Sequence, residues 1–314
     1  MMASRMPNNE VEIFLAKLVS RGHARASEWP SDFPVAVADL GLEIDLKAGR
    51  LSVTEPIIEL DIPYLRDTLA KTEPSLNLRY SRLVSSTNTM LVDSYSNGNS
   101  SDSLFLCEFQ YEGRGRRGKT WRSPYASTIM FSLGMKVSKA QKSIKGLSCA
   151  LGLSIAKALS RLGISNVSVK WPNDILSDGK KLCGILIESN IKKTEITQSI
   201  IGIGLNVNQS YFGDLINATS IVNSINNHSD LDEISSKIIS EFENFRYYLD
   251  NSGFNKLKTD YLELLYGYKV EKQFRISGNF FKGEIIDINI GGMLVVKIDG
   301  KKLEFKNQEI ELIY

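Results

Sequence analysis

The middle of the chain alternates short apolar runs with a helical pattern, and this alternation constrains the fold more than any other feature. The runs SLFLCEF, VSVKW, KLCGILIES and QSIIGIGLNVN have the length and the β-branched composition of buried strands. Apolar residues at helical spacing from Ile144 to Leu162 indicate an amphipathic helix that ends at Gly163. The alternation predicts an α/β domain in the middle of the chain.

The N-terminal region has a different pattern. The segment NNEVEIFLAKLVSRG has one apolar face and stops at Gly22, and the runs LEIDL and LSVTEP flank a glycine turn. Pro30 and Pro34 interrupt any helix between them. Residues 1–60 are therefore predicted to form a small, degenerate winged-helix-like module, and residues 61–75 are interpreted as a linker.

The C-terminal region contains short strand patterns. From Tyr268 onwards the runs KVEKQFR, FFKGEIIDI, GMLVVKI and KKLEF follow one another, and Asp299-Gly300 is a typical hairpin turn. About 45 residues are too few for a large sandwich. Residues 268–314 are therefore predicted to form a small β-barrel, which leaves residues 76–267 for the main domain.

The composition excludes several classes of protein. The chain has 314 residues, and its net charge of +2 argues against a globally basic nucleic-acid coat. Its three cysteines have no C-x-x-C spacing, which argues against a disulfide scaffold. Two isolated histidines, His23 and His228, support neither a histidine metal cluster nor a Ser-His-Asp hydrolase. We expect no membrane span and a cytoplasmic location, because the sequence lacks a long apolar run and a secretion-like N-terminus.

The segment EGRGRRGKTW fits two incompatible phosphate motifs. Gly113 to Thr120 spells a P-loop, and the three glycines of the same segment spell the G-x-G-x-x-G of dinucleotide-binding folds. Both motifs must be followed directly by a helix. Here they are followed by Pro124 and by a β-branched run that indicates a strand. The interleaved arginines instead predict a loop that can fold around a carboxylate or a phosphate, with a solvated basic hairpin tip as the alternative.

A second cluster of polar residues lies in VKWPNDILSDGKKLCGILIE. Asn173 and Asp174 follow a Trp-Pro turn at a strand end, where polar groups often meet ligands. Asp174 is a candidate to hold magnesium or accept a proton, and Lys181 is a candidate to neutralise a developing anion. Gly184 permits a close approach of the backbone, and Asn206 in GIGLNVN is either a nucleotide contact or a core residue.

Together with SSTN at residues 85–88, these motifs closely resemble those of biotin protein ligases of the bacterial bifunctional kind, over roughly residues 76–314. The resemblance implies an α+β or mixed fold, with a central mixed-sheet catalytic domain of the biotin/lipoate ligase type at residues 76–267. It also implies an SH3-like C-terminal β-barrel. Biotin and ATP, with magnesium, would give biotinyl-5'-adenylate, and a lysine of a biotin carboxyl carrier protein domain would then attack it.

The resemblance also implies roles for individual residues. Lys181, Arg116 and Asp174 would act in catalysis, and Asp174 would serve the magnesium side. The residues expected to contact biotin or the adenylate are Ser86, Thr87, Asn88, Gln110, Arg114, Gly115, Arg116, Trp121, Asn173, Lys181, Gly184 and Asn206.

Three functional alternatives are considered. A ligase whose repressor function is lost or weak is favoured, because residues 29–46 contain no lysine or arginine with which to contact DNA. A bifunctional ligase and biotin-responsive repressor is the second alternative, and lipoate ligation is the third. Homodimer formation and the identity of the carrier are left open by the sequence.

Overall fold

The computed structural model describes residues 9–25, 39–42, 44–47, 50–53, 57–99, 101–136, 144–192, 195–241, 244–245, 254–289 and 292–313. The helices are α1 (Asn9–Arg21), α2 (Ile62–Thr72), α3 (Thr87–Ser96), α4 (Ile144–Arg161), α5 (Ile221–Ile225), α6 (Leu231–Ser240) and α7 (Phe254–Leu264). The strands are β1 (His23–Arg25), β2 (Ile44–Lys47), β3 (Arg50–Val53), β4 (Asn77–Val84), β5 (Ser103–Gln110), β6 (Thr128–Lys136), β7 (Val167–Lys170), β8 (Asp174–Ser177), β9 (Lys180–Lys192), β10 (Glu195–Asn206), β11 (Glu271–Ile276), β12 (Asn279–Ile288), β13 (Leu294–Ile298), β14 (Lys301–Phe305) and β15 (Glu311–Ile313).

A seven-stranded mixed sheet in the order β4-β5-β6-β10-β9-β8-β7 forms the centre of the molecule. β4 and β5 run parallel, and the other neighbouring strands run antiparallel. This arrangement confirms the predicted mixed fold with a central sheet.

Strand β5 illustrates how the sheet is covered on both faces. Leu104 and Leu106 pack in the large core that includes α4, whereas Phe105 and Cys107 pack in a second cluster with Leu91 of α3. Successive side chains of a strand point to opposite faces. A continuous apolar run is therefore the sequence signature of a strand that is buried on both sides.

The N-terminal region forms α1 and a three-stranded sheet in the order β1-β3-β2. The predicted helix and hairpin are confirmed, and Leu18 and Leu51 are buried between them. Sequence analysis missed β1, because its three residues are too short to give a periodic pattern. Residues 26–38, which contain the two prolines, lie outside the described residues, and the winged-helix interpretation stays a prediction.

The interpretation of residues 61–75 as a linker missed helix α2. Asp61 caps this helix by accepting a hydrogen bond from the Tyr64 amide at 3.0 Å, and Leu65 and Leu69 are buried in the large core. The segment therefore packs as part of the main body, although its polar exposed face made it resemble a connection.

The C-terminal region forms a five-stranded antiparallel sheet in the order β14-β13-β12-β11-β15. Asp299 and Gly300 both have positive φ and join β13 to β14, as their sequence predicts. Its apolar residues, among them Phe274, Ile285 and Val296, join the core of the central domain. The SH3-like identity of this sheet stays a prediction.

Candidate active site

A cavity of about 610 Å³ opens above the central sheet, next to the C-terminal sheet. Its walls come from the start of α3, the loop at residues 112–121, the β8–β9 hairpin, residues 212–218 and β15. Every site residue predicted from the sequence lines this one cavity: Ser86, Thr87, Asn88, Gln110, Arg114, Gly115, Arg116, Trp121, Asn173, Asp174, Lys181, Gly184 and Asn206. Motifs that are up to 120 residues apart in sequence are therefore brought together.

The arginine-glycine loop is a hairpin-like connection between β5 and β6. The amide of Gly115 donates to the Lys119 carbonyl at 2.6 Å, and the amide of Trp121 donates to the Gly113 carbonyl at 2.8 Å. A single 3-10 turn spans Arg116–Gly118, and β6 is the next regular element after it. Residues 119–127 are all described and contain no helix, so both phosphate motifs are correctly excluded.

Two arginines attach this loop to the sheet. The Arg114 Nη2 atom lies 2.8 Å from the Glu188 Oε2 atom on β9. The Arg116 guanidinium donates through Nη1 to the side-chain oxygen of Asn173. Both contacts come before the turn at Arg117 and Gly118, so they hold the first half of the loop over the cavity.

The floor of the cavity is made by glycines on adjacent strands. Gly184 of β9 and Gly204 of β10 are directly paired, and the Trp121 indole lies against both of them. A Cβ atom on Gly204 would come within 2.4 Å of the Trp121 ring, which real contacts do not allow. The indole Nε1 is buried and has no hydrogen-bond partner among the described residues, so it is a free donor in the cavity wall.

Buried polar residues form one end of the cavity. Ser86, Thr87 and Asn88 lie at the start of α3 and are each at most 3% exposed. The Gln110 Oε1 atom accepts hydrogen bonds from the Thr87 amide at 2.7 Å and the Thr87 hydroxyl at 3.1 Å. The Ser132 hydroxyl oxygen lies 2.7 Å from the Thr87 hydroxyl oxygen. This network fixes polar groups within an otherwise apolar surrounding, which is typical of a small-molecule pocket.

The β8–β9 hairpin supplies a paired lysine and carboxylate. The Lys181 Nζ atom lies 2.8 Å from the Asp174 Oδ1 atom and 5.9 Å from the centre of the Trp121 ring. Asn173 donates to the Asp174 carboxylate at 3.2 Å and to the Ile185 carbonyl at 3.1 Å. The ammonium group is therefore held at the boundary between the glycine floor and the polar loop.

Positive charge exceeds negative charge around the cavity. Its described lining contains seven cationic side chains, Arg114, Arg116, Arg117, Lys119, Arg122, Lys170 and Lys181, and three acidic ones, Asp174, Asp214 and Glu311. Burial lowers the pKa of Lys170 to about 8, and it also lowers the pKa of Arg116, while Asp174 opposes both shifts. A bound anion would favour the charged form of both groups, so the cavity is suited to a polyanionic ligand.

Asn206 lines the cavity but also has a structural contact. Its side-chain amide donates to the Thr219 carbonyl at 2.9 Å and is nearly buried. The Lys181 backbone holds the same segment, with its amide 2.7 Å from the Asn217 carbonyl and its carbonyl 2.8 Å from the Thr219 amide. Both alternatives that the sequence left open for Asn206 are therefore compatible with its position.

Sequence analysis missed several residues of the site. Lys170 lies within the quoted motif VKWPND, and a lysine at a strand end beside a polar turn was an available signal. Glu188 lies at the end of the quoted KKLCGILIE, where it appears as an ordinary strand residue. Residues 212–218 and Glu311 gave no local signal, because only the tertiary fold brings them to the cavity.

The protein is similar to known ligases in sequence and in structure. A model of the biotin/lipoate A/B protein ligase family matches residues 80–206. The chain is 34% identical over 170 residues to the bifunctional ligase/repressor BirA of Salmonella typhimurium, and this alignment covers 54% of the chain and 52% of that protein. It is 27% identical over 282 residues to BirA of Bacillus spizizenii, covering 88% of the chain and 84% of that protein. The match therefore spans about half the length of the Salmonella relative.

Among solved structures, the fold is similar to the biotin protein ligase from Aquifex aeolicus in complex with biotin and ATP. The TM-score is 0.65 at 25% sequence identity, and the match covers 76% of this chain and 98% of that chain. The matched family segment contains the second half of β4, strands β5 to β10, the arginine-glycine loop and the lysine-bearing hairpin. Residues 80–206 of this chain therefore match the biotin/lipoate A/B protein ligase family in sequence, and the fold around them is similar to that of a biotin protein ligase.

Proposed function

We propose that the protein is an ATP-dependent biotin protein ligase. It joins biotin to AMP and then transfers the biotinyl group to a lysine of a biotin carboxyl carrier protein domain. The observation that carries this proposal is the cavity itself, where a buried polar pocket adjoins a surface with surplus positive charge. A small neutral ring system fits the first part, and the phosphates of ATP fit the second.

In the first half-reaction, the biotin carboxylate attacks the α-phosphorus of ATP, and pyrophosphate leaves. Negative charge develops on the phosphate oxygens beside Lys181 and Arg116. A preorganised cation at such a position stabilises the transition state more than the ground state. Lys181 is paired with Asp174 before substrate binds, so this proposal requires the ammonium group to turn toward the incoming anion.

Magnesium fits the donor set of the cavity. Within the described residues no group of three or more His, Cys, Asp or Glu side chains could enclose a metal ion by itself. Asp174 offers one carboxylate, and Mg²⁺ commonly takes one or two protein carboxylates together with substrate phosphates. Bound magnesium would neutralise phosphate charge, while Asp174 and Asn173 would hold it.

In the second half-reaction, the ε-amine of the carrier lysine attacks the carbonyl carbon of the mixed anhydride, and AMP leaves with the bonding electrons. Asp174, which lies beside Lys181, is the carboxylate that we propose accepts the proton lost by the attacking amine. The loop with Arg114 and Arg116 excludes water, which would otherwise hydrolyse the adenylate. The C-terminal sheet, which we expect to be SH3-like, contributes Glu311 to the cavity.

The competing functions differ in ligand and partner. The similar Aquifex structure contains biotin and ATP, which favours biotin over lipoate as the substrate. We expect no sequence-specific DNA binding from the N-terminal module, because Asp32, Asp39, Glu43 and Asp45 would repel phosphates and no basic residue lies among them. In the described part of the chain, no helix is long and apolar enough to cross a membrane.

Pyrophosphate release tests the first half-reaction. The full chain is incubated with ATP and magnesium, and pyrophosphate is measured after adding biotin, lipoate or neither. We expect release with biotin and none above background with the other two. Release with lipoate alone would make the protein a lipoate ligase, and release with neither would mean that it hydrolyses ATP to AMP and pyrophosphate without an acid substrate.

A further inference from the structure

One carboxylate oxygen connects two parts of the site that belong to different elements. The Glu188 Oε2 atom accepts a hydrogen bond from the Asn88 Nδ2 atom at 2.7 Å and from the Arg114 Nη2 atom at 2.8 Å. Asn88 lies in the first turn of α3, and Arg114 lies in the arginine-glycine loop. Glu188 itself lies on β9 and does not line the cavity.

The contact to Asn88 fixes the orientation of a side chain in the biotin end of the cavity. The Asn88 Oδ1 atom accepts a hydrogen bond from the Ser132 hydroxyl at 2.5 Å, and its Nδ2 atom is directed at Glu188. Gly202 permits this packing, because a Cβ atom there would lie 2.4 Å from the Asn88 Oδ1 atom. Glu188 and Ser132 together leave one amide conformation.

The contact to Arg114 fixes the first half of the loop. Arg114 pairs with Thr120 across the loop, so holding Arg114 also holds the strand-like stem that leads to Trp121. The side chains of the ion pair are 42% and 34% exposed, which makes the pair accessible to competing water and salt. It is therefore a contact that can open and close rather than a permanent part of the core.

We propose that Glu188 is a positioning residue that couples the biotin end of the cavity to closure of the arginine-glycine loop. When Asn88 and Arg114 share its carboxylate, the pocket is shaped for ligand and the loop covers it. Loss of the carboxylate releases the loop and frees the Asn88 amide to rotate. This coupling rests on the proposed function only where it concerns biotin; the loop contact stands without it.

Limited trypsin digestion tests the loop contact without any substrate. The loop offers Arg114, Arg116, Arg117 and Lys119 as cleavage sites. We expect Glu188→Gln to raise the initial cleavage rate between residues 113 and 120 about fivefold, the upper end of the range for loss of an exposed ion pair. Glu188→Asp keeps the charge and should restore part of the protection. Glu263→Gln removes an exposed carboxylate on α7 and serves as the matched control.

Kinetics test the connection to biotin. For Glu188→Gln, we expect the KM for biotin to rise about fivefold in the pyrophosphate assay, while kcat at saturating biotin stays within a factor of two. Glu188→Asp should give an intermediate KM. A purely structural role would instead lower the melting temperature and reduce kcat and kcat/KM together.

The outcomes separate the two proposals. If Glu188→Gln digests at the wild-type rate, the loop contact has no effect and the coupling is wrong, whatever the enzyme does. If the wild type fails to release pyrophosphate with biotin, the proposed function fails while the digestion result remains valid. If digestion accelerates but the KM for biotin does not change in an active enzyme, the coupling to the biotin end is wrong.

Discussion

Among single residues, Lys181 has the position best suited to stabilise charge. It lies on β9 beside Asp174, above the glycine floor and next to the Trp121 ring. Its neighbour Lys180 is exposed on the same hairpin and does not line the cavity. Replacing each of these adjacent lysines in turn therefore distinguishes the effect of a charge at the site from the effect of a charge on the surface.

Replacing Lys181 with alanine should slow biotin-dependent pyrophosphate release by about 10²–10³-fold, the scale for one electrostatic donor at a reacting anion. Biotin affinity, followed by tryptophan fluorescence, should change much less, because the cation acts where charge develops. Lys180→Ala is the control and should behave like the wild type. An unchanged rate for Lys181→Ala would remove it from the chemical step.

Glu108 is a buried carboxyl group outside the cavity. It is 1% exposed on β5 and accepts hydrogen bonds from the Leu60 amide and the Tyr80 hydroxyl, each at 2.9 Å. Burial raises the pKa of Glu108 from 4.5 to about 7, and the two hydrogen bonds oppose the shift. The folded state therefore binds a proton more tightly than the unfolded state does.

This shift predicts a pH-dependent stability. Between about pH 4.5 and about pH 7, the folded protein holds the Glu108 proton and the unfolded chain loses it, so stability falls as the pH rises. The loss amounts to roughly 3 kcal/mol at most. Glu108→Gln, which stays neutral, should flatten the fall in melting temperature between about pH 5 and about pH 8, unlike Glu263→Gln. If the melting temperatures of Glu108→Gln and Glu263→Gln fell equally over this pH range, Glu108 would not be the cause of the fall.

At the scale of elements, the arginine-glycine loop is the part of the fold most directly tied to the proposed chemistry. Its turn uses Arg117 and Gly118 at positive φ, and its two anchors lie on β9 and at the start of β8. Such a loop can cover a reactive intermediate without being part of the core.

Replacing Arg116 with glycine should let the adenylate escape, because the loop loses its contact to Asn173 and a cation near the phosphate. Bystander proteins mixed with the variant, ATP and biotin should then acquire more biotin than they do with the wild type. Arg116→Lys keeps a cation and should leak less. Equal labelling of bystanders by all three proteins would contradict a role of Arg116 in retaining the adenylate.

The sequence predicted elements whose own residues carry a strong pattern. Strands β5, β9 and β10 were found because both of their faces are apolar, and the loop was found because its glycines and arginines alternate. Helix α2 was missed, since only Leu65 and Leu69 are fully buried and most of its other residues are exposed or partly exposed. Glu188 was missed because its partner Arg114 is 74 residues away in sequence. Glu311 was missed because it belongs to the C-terminal sheet and reaches the cavity only through the tertiary fold.

At the scale of the whole molecule, the N-terminal region packs against the main domain. Leu15 and Leu40 are buried against Leu83 and Tyr125, and the Tyr125 amide donates to the Leu40 carbonyl at 2.8 Å. The cavity lies elsewhere, and none of its described lining residues precedes Ser86. Residues 1–56 should therefore stabilise the protein without taking part in the proposed reaction.

A chain that starts at Ile57 should keep its ligase activity but melt at a lower temperature. Exposing Leu83 and Tyr125 removes the burial of two large side chains, worth about 1.5–3 kcal/mol each. Calorimetry of the two chains measures this loss, and the pyrophosphate assay measures the retained activity.

The full chain should also show no sequence-specific DNA binding with biotin and ATP. Tight, salt-sensitive binding to one operator would restore the bifunctional alternative.

Mass spectrometry of a carrier protein tests the central claim most directly. The full chain, ATP, magnesium and biotin are incubated with a biotin carboxyl carrier domain, and the same reaction is run with Lys181→Ala and with the acceptor lysine of the carrier replaced by arginine. We predict that the wild type adds one biotinyl group to the unmodified carrier, that Lys181→Ala adds far less in the same time, and that the carrier without its lysine stays unmodified. A carrier whose mass does not change with the wild-type protein would contradict the account.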